Sequence, residues 1–271
     1  MTEGPEARYL ANYVSKRFLK KRLRNMKILG GRYKTHGPPH GFKDFLKQLH
    51  RSIPVHLVEV WSVGKVIFLM FDSGYVLVAK MGMVGWFYTA EDMPLHKNEA
   101  HVVFEFEGGK DLIFADFRNF GTLQFTNNAH DLWDEMAYIA PDIIDGKMVD
   151  ILKRVPTIKP TSRIEDVLMD QTALVSGIGN IIKSEALYEA KVSPKKHFGS
   201  LKPAELRAVL EAARKYARRV LRILESAAIH SDKYVALQKV YQREEDPQGH
   251  RVHSYKSAHG RTTFWVPEIQ H

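Results

Sequence analysis

Cysteine is absent from the chain, so neither a disulfide nor a thiolate-bound metal can hold any part of it together. No apolar run reaches the roughly 18 residues that a bilayer-spanning helix requires. The opening residues, MTEGPEARYL, carry charges where a secretory leader needs an apolar stretch. These two absences argue against a membrane and against secretion, and lead us to expect an intracellular protein. Acidic residues are the scarcer sign: 31 Asp and Glu stand against 40 Lys and Arg, a net charge of +9. Such a surplus suggests a polyanionic partner, and no lipid-binding helix competes with nucleic acid for that role. A basic protein that is merely soluble would show the same total. The distribution helps, because the blocks SKRFLKKRLRNMK and RKYARRVLR flank an acidic stretch, DLWDEMAYIAPDIIDG. Repeats and low-complexity tracts are also missing. Apolar residues make up 44% and aromatics 11%, enough to bury real cores.

Ala7, Leu10, Ala11, Val14 and Phe18 recur at helical spacing, so the spacing predicts an N-terminal helix with one buried face. From about residue 27 to 127 the pattern changes to short β-type runs: HLVEVWSV, KVIFLMF, GYVLVAKM, GWFYTA, HVVFEFE, DLIFADF and GTLQFT. Glycine-containing turns separate them, as in an antiparallel sandwich or barrel. YKTHGPPHGFKD reads as a loop, because Gly-Pro-Pro continues neither regular structure. Beyond the Pro-containing basic stretch KRVPTIKPTSR, the segments RIEDVLMDQTAL, IIKSEALYEA and PAELRAVLEAARKYARRVLRILESA read as helices, the last opening on Pro203. GHRVHSYKSAHGRTTFWVPEIQH returns to β-type residues around turn signals. The expected fold is α+β: an N-terminal helix and antiparallel β-sandwich (1–127), a linker (128–162), a helical domain (163–240) and a terminal hairpin (241–271).

Four constellations could carry chemistry. In MTEGPE, removal of Met1 would expose the α-amine of Thr2, whose ordinary pKa of about 7.7–8.0 leaves far more neutral nucleophile at pH 7 than a lysine has. Glu3 could then move protons beside it. Equally, Glu3 and Glu6 could simply be an acidic helix start. In LVSGIGNIIKSEAL, Gly177 and Gly179 permit a tight turn and Asn180 opens a helix whose free N–H groups suit a phosphate. A plain helix–helix turn has the same pattern. In HGRTTFW, Arg261 at a hairpin tip could reach a nucleic-acid backbone or remain a solvated charge. In MGMVGW and DFRNFG, Met83, Arg118 and Phe120 could enter a base stack from which a nucleotide has been extruded, or belong to the core.

Taken together and in order, EGPE, SVGKVIFLMF, GMVG, FRNFG, DQTALVSGIGNIIKSEAL, VYQRE and HGRTTFW resemble the Fpg/Nei family of DNA glycosylases, the endonuclease VIII-like repair enzymes. The resemblance spans nearly the whole chain. It implies a catalytic β-sandwich domain followed by a helix–two-turn–helix DNA-binding domain with VSGIGN as its turn and Asn180 on a phosphate. It further implies that Lys65, in VGKV, contacts the phosphodiester at the lesion. Glu3 matches the general acid–base carboxylate, and Glu6 a second, orienting or DNA-side carboxylate. Met83, Arg118 and Phe120 match the three residues that fill the void behind the flipped base. Damaged double-stranded DNA is the implied partner, with single-stranded DNA an option, and the chain is expected to act as a monomer without a cofactor. If the source is eukaryotic or viral, the nucleus or a site of DNA replication is the expected location.

Two departures stand out. Where most members have the four cysteines of a zinc finger, this chain has Gln248, Arg251, Val266 and Ile269, which cannot bind zinc. The irregular spacing of His250, His253, His259 and His271 offers no substitute, so we expect a zincless finger and no metal, as in the vertebrate and giant-virus Nei-like branch. The zincless finger and the affinity to that branch imply a preference for oxidised pyrimidines over 8-oxoguanine. The second departure is Thr2, where the family's usual residue is proline. A primary amine still forms a protonated imine, but without the ring its attack geometry is less fixed. The expected function is a bifunctional glycosylase and abasic-site lyase weakened at the lyase step. The alternative is a lyase-impaired or non-catalytic binder of damaged or abasic DNA. A basic scaffold protein with incidental motifs is the third reading.

Overall fold

The structure, a computed structural model, describes residues 2–51, 53–92, 99–226 and 235–271. Contacts divide the chain into two compact units. Thr2 and residues 7–137 belong to the first; Glu3–Glu6 and residues 138–271 belong to the second. The boundary therefore falls inside the stretch 128–162 that composition suggests as a linker. Among the described residues, no helix is long and apolar enough to cross a membrane.

The first unit is built from α1 (Gly4–Phe18), from Ala7 onward, then β1 (Arg22–Ile28), α2 (Arg32–Thr35), α3 (Phe42–Leu49), β2 (Val55–Val63), β3 (Val66–Phe71), β4 (Val76–Lys80), β5 (Trp86–Tyr88), β6 (Ala100–Phe106), β7 (Asp111–Ala115), β8 (Thr122–Thr126) and α4 (Ala129–Tyr138). Eight described strands form one sheet, ordered β5-β7-β6-β1-β2-β3-β4-β8, and every neighbouring pair is antiparallel. The central β1–β2 pairing is confined to Arg22 with His56 and Leu23 with Val55. Register shifts follow at once on both strands, between Leu23 and Asn25 and between Leu57 and Glu59. Bulges of this kind bend a sheet, so it divides into two four-stranded layers that share one core. Phe18 meets Phe106 at 4.7 Å, and Phe45 meets Phe71 at 4.8 Å and Phe125 at 5.1 Å, between ring centres. Ala7, Leu10, Ala11, Val14 and Phe18 of α1 all enter this core.

Two local readings change. The sheet begins at Arg22, inside the basic run, because Leu23 and Met26 turn inward while Arg24 and Lys27 face solvent or the edge of the layer. The supposed loop YKTHGPPHGFKD is irregular only across 36–41, with α2 ending before it and α3 starting at Phe42. α3 forms because Phe42, Phe45 and Leu49 fall on one buried face.

Among the described residues of the second unit the α-helices are α5 (Met148–Leu152), α6 (Ile164–Met169), α7 (Asn180–Glu189) and α8 (Pro203–Ser226), followed by β9 (His253–Lys256) and β10 (Thr262–Trp265), an antiparallel hairpin. Leu206, Val209, Leu210, Ala213, Ala217, Val220 and Leu224 form the buried stripe of α8. Arg214 and Arg218 leave that helix to donate to the carbonyls of Ile143, Gly146 and Ile144. α6 is shorter than its sequence pattern suggests. Asp170 accepts the Thr172 N–H at 2.8 Å and closes a local turn that competes with another helical step.

His101 is a titrating weakness in the first core. It lies fully buried between Tyr33 and Phe114, and neither ring nitrogen has a hydrogen-bond partner. Burial holds its pKa below the usual histidine value, so the folded state keeps it neutral. Below about pH 6.5 the unfolded chain takes up the proton first, and stability falls as pH is lowered through that value. Urea unfolding at about pH 8 and about pH 5.5 should show this loss in the wild type and a smaller loss in His101→Leu. Equal losses in both would contradict the assignment.

Candidate active site

The motifs EGPE and VSGIGN explain each other in the second unit. α7 begins on Gly179, an N-cap residue with no side chain to satisfy the first free N–H groups. The Glu3 carboxylate supplies the cap: Oε1 accepts from the Ile181 N–H at 2.8 Å and Oε2 from the Ile182 N–H at 3.1 Å. A negative charge at this end also complements the helix dipole. Glu6 reaches back to accept the Glu3 N–H at 3.0 Å, the reciprocal half of a capping box at the start of α1. Both carboxylates are buried, Glu3 to 1% exposure. The glycines are set by this close approach. A side chain on Gly179 would overlap the Glu3 carboxyl, and one on Gly4 would come within 2.9 Å of Gly177 backbone atoms. The Gly4 N–H donates to the Gly177 carbonyl at 2.8 Å. Gln171 braces the same turn by accepting from Gly177 N and donating to the Ile178 carbonyl.

Asn180 is also buried. Its Nδ2 donates to the Thr262 carbonyl of β10 at 2.8 Å, while its Oδ1 has no hydrogen-bond partner. Arg261 closes the β9–β10 turn through its carbonyl, which accepts from Ser257 N at 2.8 Å. Next to it, Lys183, at 1% exposure, donates to Thr263 Oγ1 at 2.8 Å and lies 3.9 Å from Glu165. Glu165 accepts from the Thr263 and Tyr255 hydroxyls. This buried network fastens the hairpin to α6 and α7. Tyr216, on α8, has a buried hydroxyl with no hydrogen-bond partner; burial and the carboxylates of Glu185, Glu3 and Glu6 keep it protonated.

The first unit gathers the remaining candidates. The Thr2 N–H donates to the Met83 carbonyl at 2.9 Å, and the Thr2 hydroxyl lies 3.4 Å from the Gly85 carbonyl. Met83 therefore sits on the loop that holds the N-terminal residue. That loop packs on the one carrying Arg118 and Phe120, since a side chain on Gly82 would come within 2.7 Å of the Phe120 backbone. Phe120 is 55% exposed, and the Arg118 guanidinium stands 5.3 Å from its ring centre. Neither belongs to the core. Lys65 lies in the β2–β3 turn after Gly64, which has φ +57°. Arg8 of α1 pins the end of β2 by donating to Ser62 Oγ at 2.8 Å and to its carbonyl. The sequence motifs do not mark Arg8, Ser62 or Lys183, whose partners lie tens of residues away, nor Gln171, whose partners are close but whose bracing of the turn has no local signature.

Residues 1–123 match the formamidopyrimidine-DNA glycosylase N-terminal domain, and residues 141–231 match the H2TH domain of the same enzymes. This chain belongs to the formamidopyrimidine-DNA glycosylase family. A formamidopyrimidine-DNA glycosylase of Streptococcus pneumoniae (strain R6) is 28% identical over 223 residues, covering 77% of this chain and 73% of that one. In fold, the chain is similar to the Lactococcus lactis enzyme bound to DNA containing an abasic site, with a TM-score of 0.82, 23% identity and 99% of both chains covered. It is equally similar to the wild-type Lactococcus lactis enzyme in complex with DNA containing an oxidised pyrimidine, with a TM-score of 0.82 and 24% identity over 99% of both chains.

Against the zinc finger of most family members, the terminal hairpin does not fit a metal. Val266 is fully buried with Tyr188 and Val240, and Val252 and Ile269 pack against the same cluster. Asp246 takes over the turn, accepting from Gln248 N, His250 N and the Tyr188 hydroxyl. Gln270 donates to the Val192 carbonyl and accepts from Val266 N. Apolar packing and these bonds close the hairpin.

Burial holds the Lys183 ammonium down to about 8. Between about pH 8 and pH 10 the unfolded chain therefore binds more protons at this position than the folded one, and the site's contribution to stability rises with pH. Urea midpoints of the wild type should gain on those of Lys183→Met across that window. A gap between the two proteins that stays constant with pH would contradict this.

Proposed function

We propose that this family member is a bifunctional enzyme of base excision repair, which removes an oxidised base and then nicks the strand at the abasic site. Oxidised pyrimidines are its first substrate class, in keeping with the resemblance of its finger to the zincless branch. The observation that carries the reading is that Thr2 and Glu3, consecutive in the chain, are both buried and both fixed. Thr2 is tied to the loop bearing Met83, and Glu3 to the N-terminus of α7.

Once Met1 is removed, the Thr2 amine attacks C1′ of the lesion nucleotide, and the bond to the base breaks as the base takes up a proton. Glu3, a carboxylate at rest, takes a proton from the attacking amine and passes it to the ring oxygen as the sugar opens, leaving a protonated imine between Thr2 and C1′. The positive imine acidifies C2′; loss of a C2′ proton and departure of the 3′ phosphate cut the strand. Water then hydrolyses the imine and returns the amine. Lys65 and Arg261 hold phosphates on the DNA, and Asn180 keeps the Arg261 hairpin in place. Met83, Arg118 and Phe120 occupy the space left by the extruded base. The exposure of Phe120 supports that role, since a wedge must be presented to the duplex.

A second reading is a damage or abasic-site binder without turnover. It is favoured by the burial of Thr2 and the engagement of its nitrogen with the Met83 carbonyl. Borohydride trapping on an abasic-site duplex, followed by peptide mass mapping, separates the two. The enzyme reading predicts a reduced adduct on an N-terminal Thr2 lacking Met1. Tight binding with no adduct would leave the binder.

A further inference from the structure

The loop from Asp116 to Gly121, between β7 and β8, has a hard task under the proposed function. It holds Phe117 (63% exposed) and Phe120 in solvent and must enter a duplex without collapsing. Part of its shape is internal: the Asp116 carboxylate accepts from the N–H groups of Arg118 and Gly121, and the Asp116 carbonyl accepts from Asn119 N at 3.1 Å. Asn119 adopts φ +59°, a left-handed conformation that L-residues rarely take.

The rest comes from Arg32, 87 positions earlier in the sequence. Its backbone N–H, at the open end of α2, donates to Asn119 Oδ1 at 2.7 Å. Its guanidinium Nη1 in turn faces the carbonyls of Asn119 at 3.4 Å and Gly121 at 3.5 Å. Backbone and side chain of Arg32 thus grip the side chain and backbone of the loop. The backbone entering Arg32 is set by Gly31, at φ +61°, where a side chain would overlap the buried His101 ring.

We infer that Arg32 and Asn119 are positioning residues for base extrusion, a clamp that holds Arg118 and Phe120 in the conformation that replaces the flipped base. The inference rests on the wedge role given to this loop above. Misplacing a group by about 1 Å is enough to lose on the order of a hundredfold in rate, while extrusion is unnecessary on an abasic site in single-stranded DNA.

The test uses the full chain and two substrates, a duplex carrying an oxidised pyrimidine and a single strand carrying an abasic site. The readout is the ratio of single-turnover excision on the first to strand cleavage on the second. Unstacking is followed by 2-aminopurine placed beside the lesion. Arg32→Ala and Asn119→Gly should each lower the ratio by about tenfold and reduce the fluorescence change. Asn119→Gly tolerates the left-handed backbone, so it keeps the test alive if Arg32→Ala fails to fold. Asn119→Asp, which retains the acceptor, should restore the ratio. If Phe120→Ala lowers the ratio and both clamp variants leave it at the wild-type value, the inference is overturned. If Phe120→Ala itself has no effect, the wedge reading of the loop fails and takes the clamp with it.

Discussion

Two backbone N–H groups at the start of α7 need an acceptor, and the residue that should provide one is a glycine. The carboxylate of Glu3 fills that need from 178 positions away. Much of the second unit's local sequence is a consequence. Gly179 must lack a side chain to admit the carboxyl, Gly4 must lack one to let its backbone touch that of Gly177, and Glu6 supplies the acceptor that holds the Glu3 N–H. The residue proposed to move protons is therefore also the one that completes a helix. A carboxylate placed only for chemistry would need its own support; here the helix end is the support.

The same economy appears in the first unit. Thr2, the proposed nucleophile, is bonded to the loop of Met83, and that loop packs on the one bearing Phe120. Under the proposed function, the reagent and the wedge would thus share one rigid surround. Thr2 lacks the ring of the family's usual proline, but its hydroxyl lies within 3.4 Å of the Gly85 carbonyl, a contact proline could not make.

The sandwich, the N-terminal helix, the long α8 and the terminal hairpin were legible because each carries a periodic pattern or strong turn residues. β1 was not, since a bulge breaks its alternation and its exposed face is arginine and lysine. α3 was hidden behind Gly-Pro-Pro. At the candidate site, the motifs marked Thr2, Glu3, Glu6, Lys65, Met83, Arg118, Phe120, Asn180 and Arg261 for attention, but as residue types in order. What local sequence could not convey is who holds whom: Arg8 on Ser62, Arg32 on Asn119, Gln171 on the α7 turn, Asn180 on the Thr262 carbonyl. Each joins residues whose own surroundings look like ordinary surface or turn. The finger shows the converse. Loss of four ligands was plain in the sequence, whereas the burial of Val266 and the network of Lys183, Glu165, Thr263 and Tyr255 emerged only in three dimensions.

The central claim is that Glu3 caps α7, and residue-resolved amide hydrogen exchange tests it directly. Amides in the first turn of a helix have no partner within the helix, so protection of Ile181 and Ile182 depends on Glu3. Both amides should be protected in the wild type. In Glu3→Ala they should lose about tenfold in protection, the worth of roughly one hydrogen bond, while Ala186 in mid-helix keeps its own. Exchange at Ile181 and Ile182 that is the same in the two proteins would contradict the account.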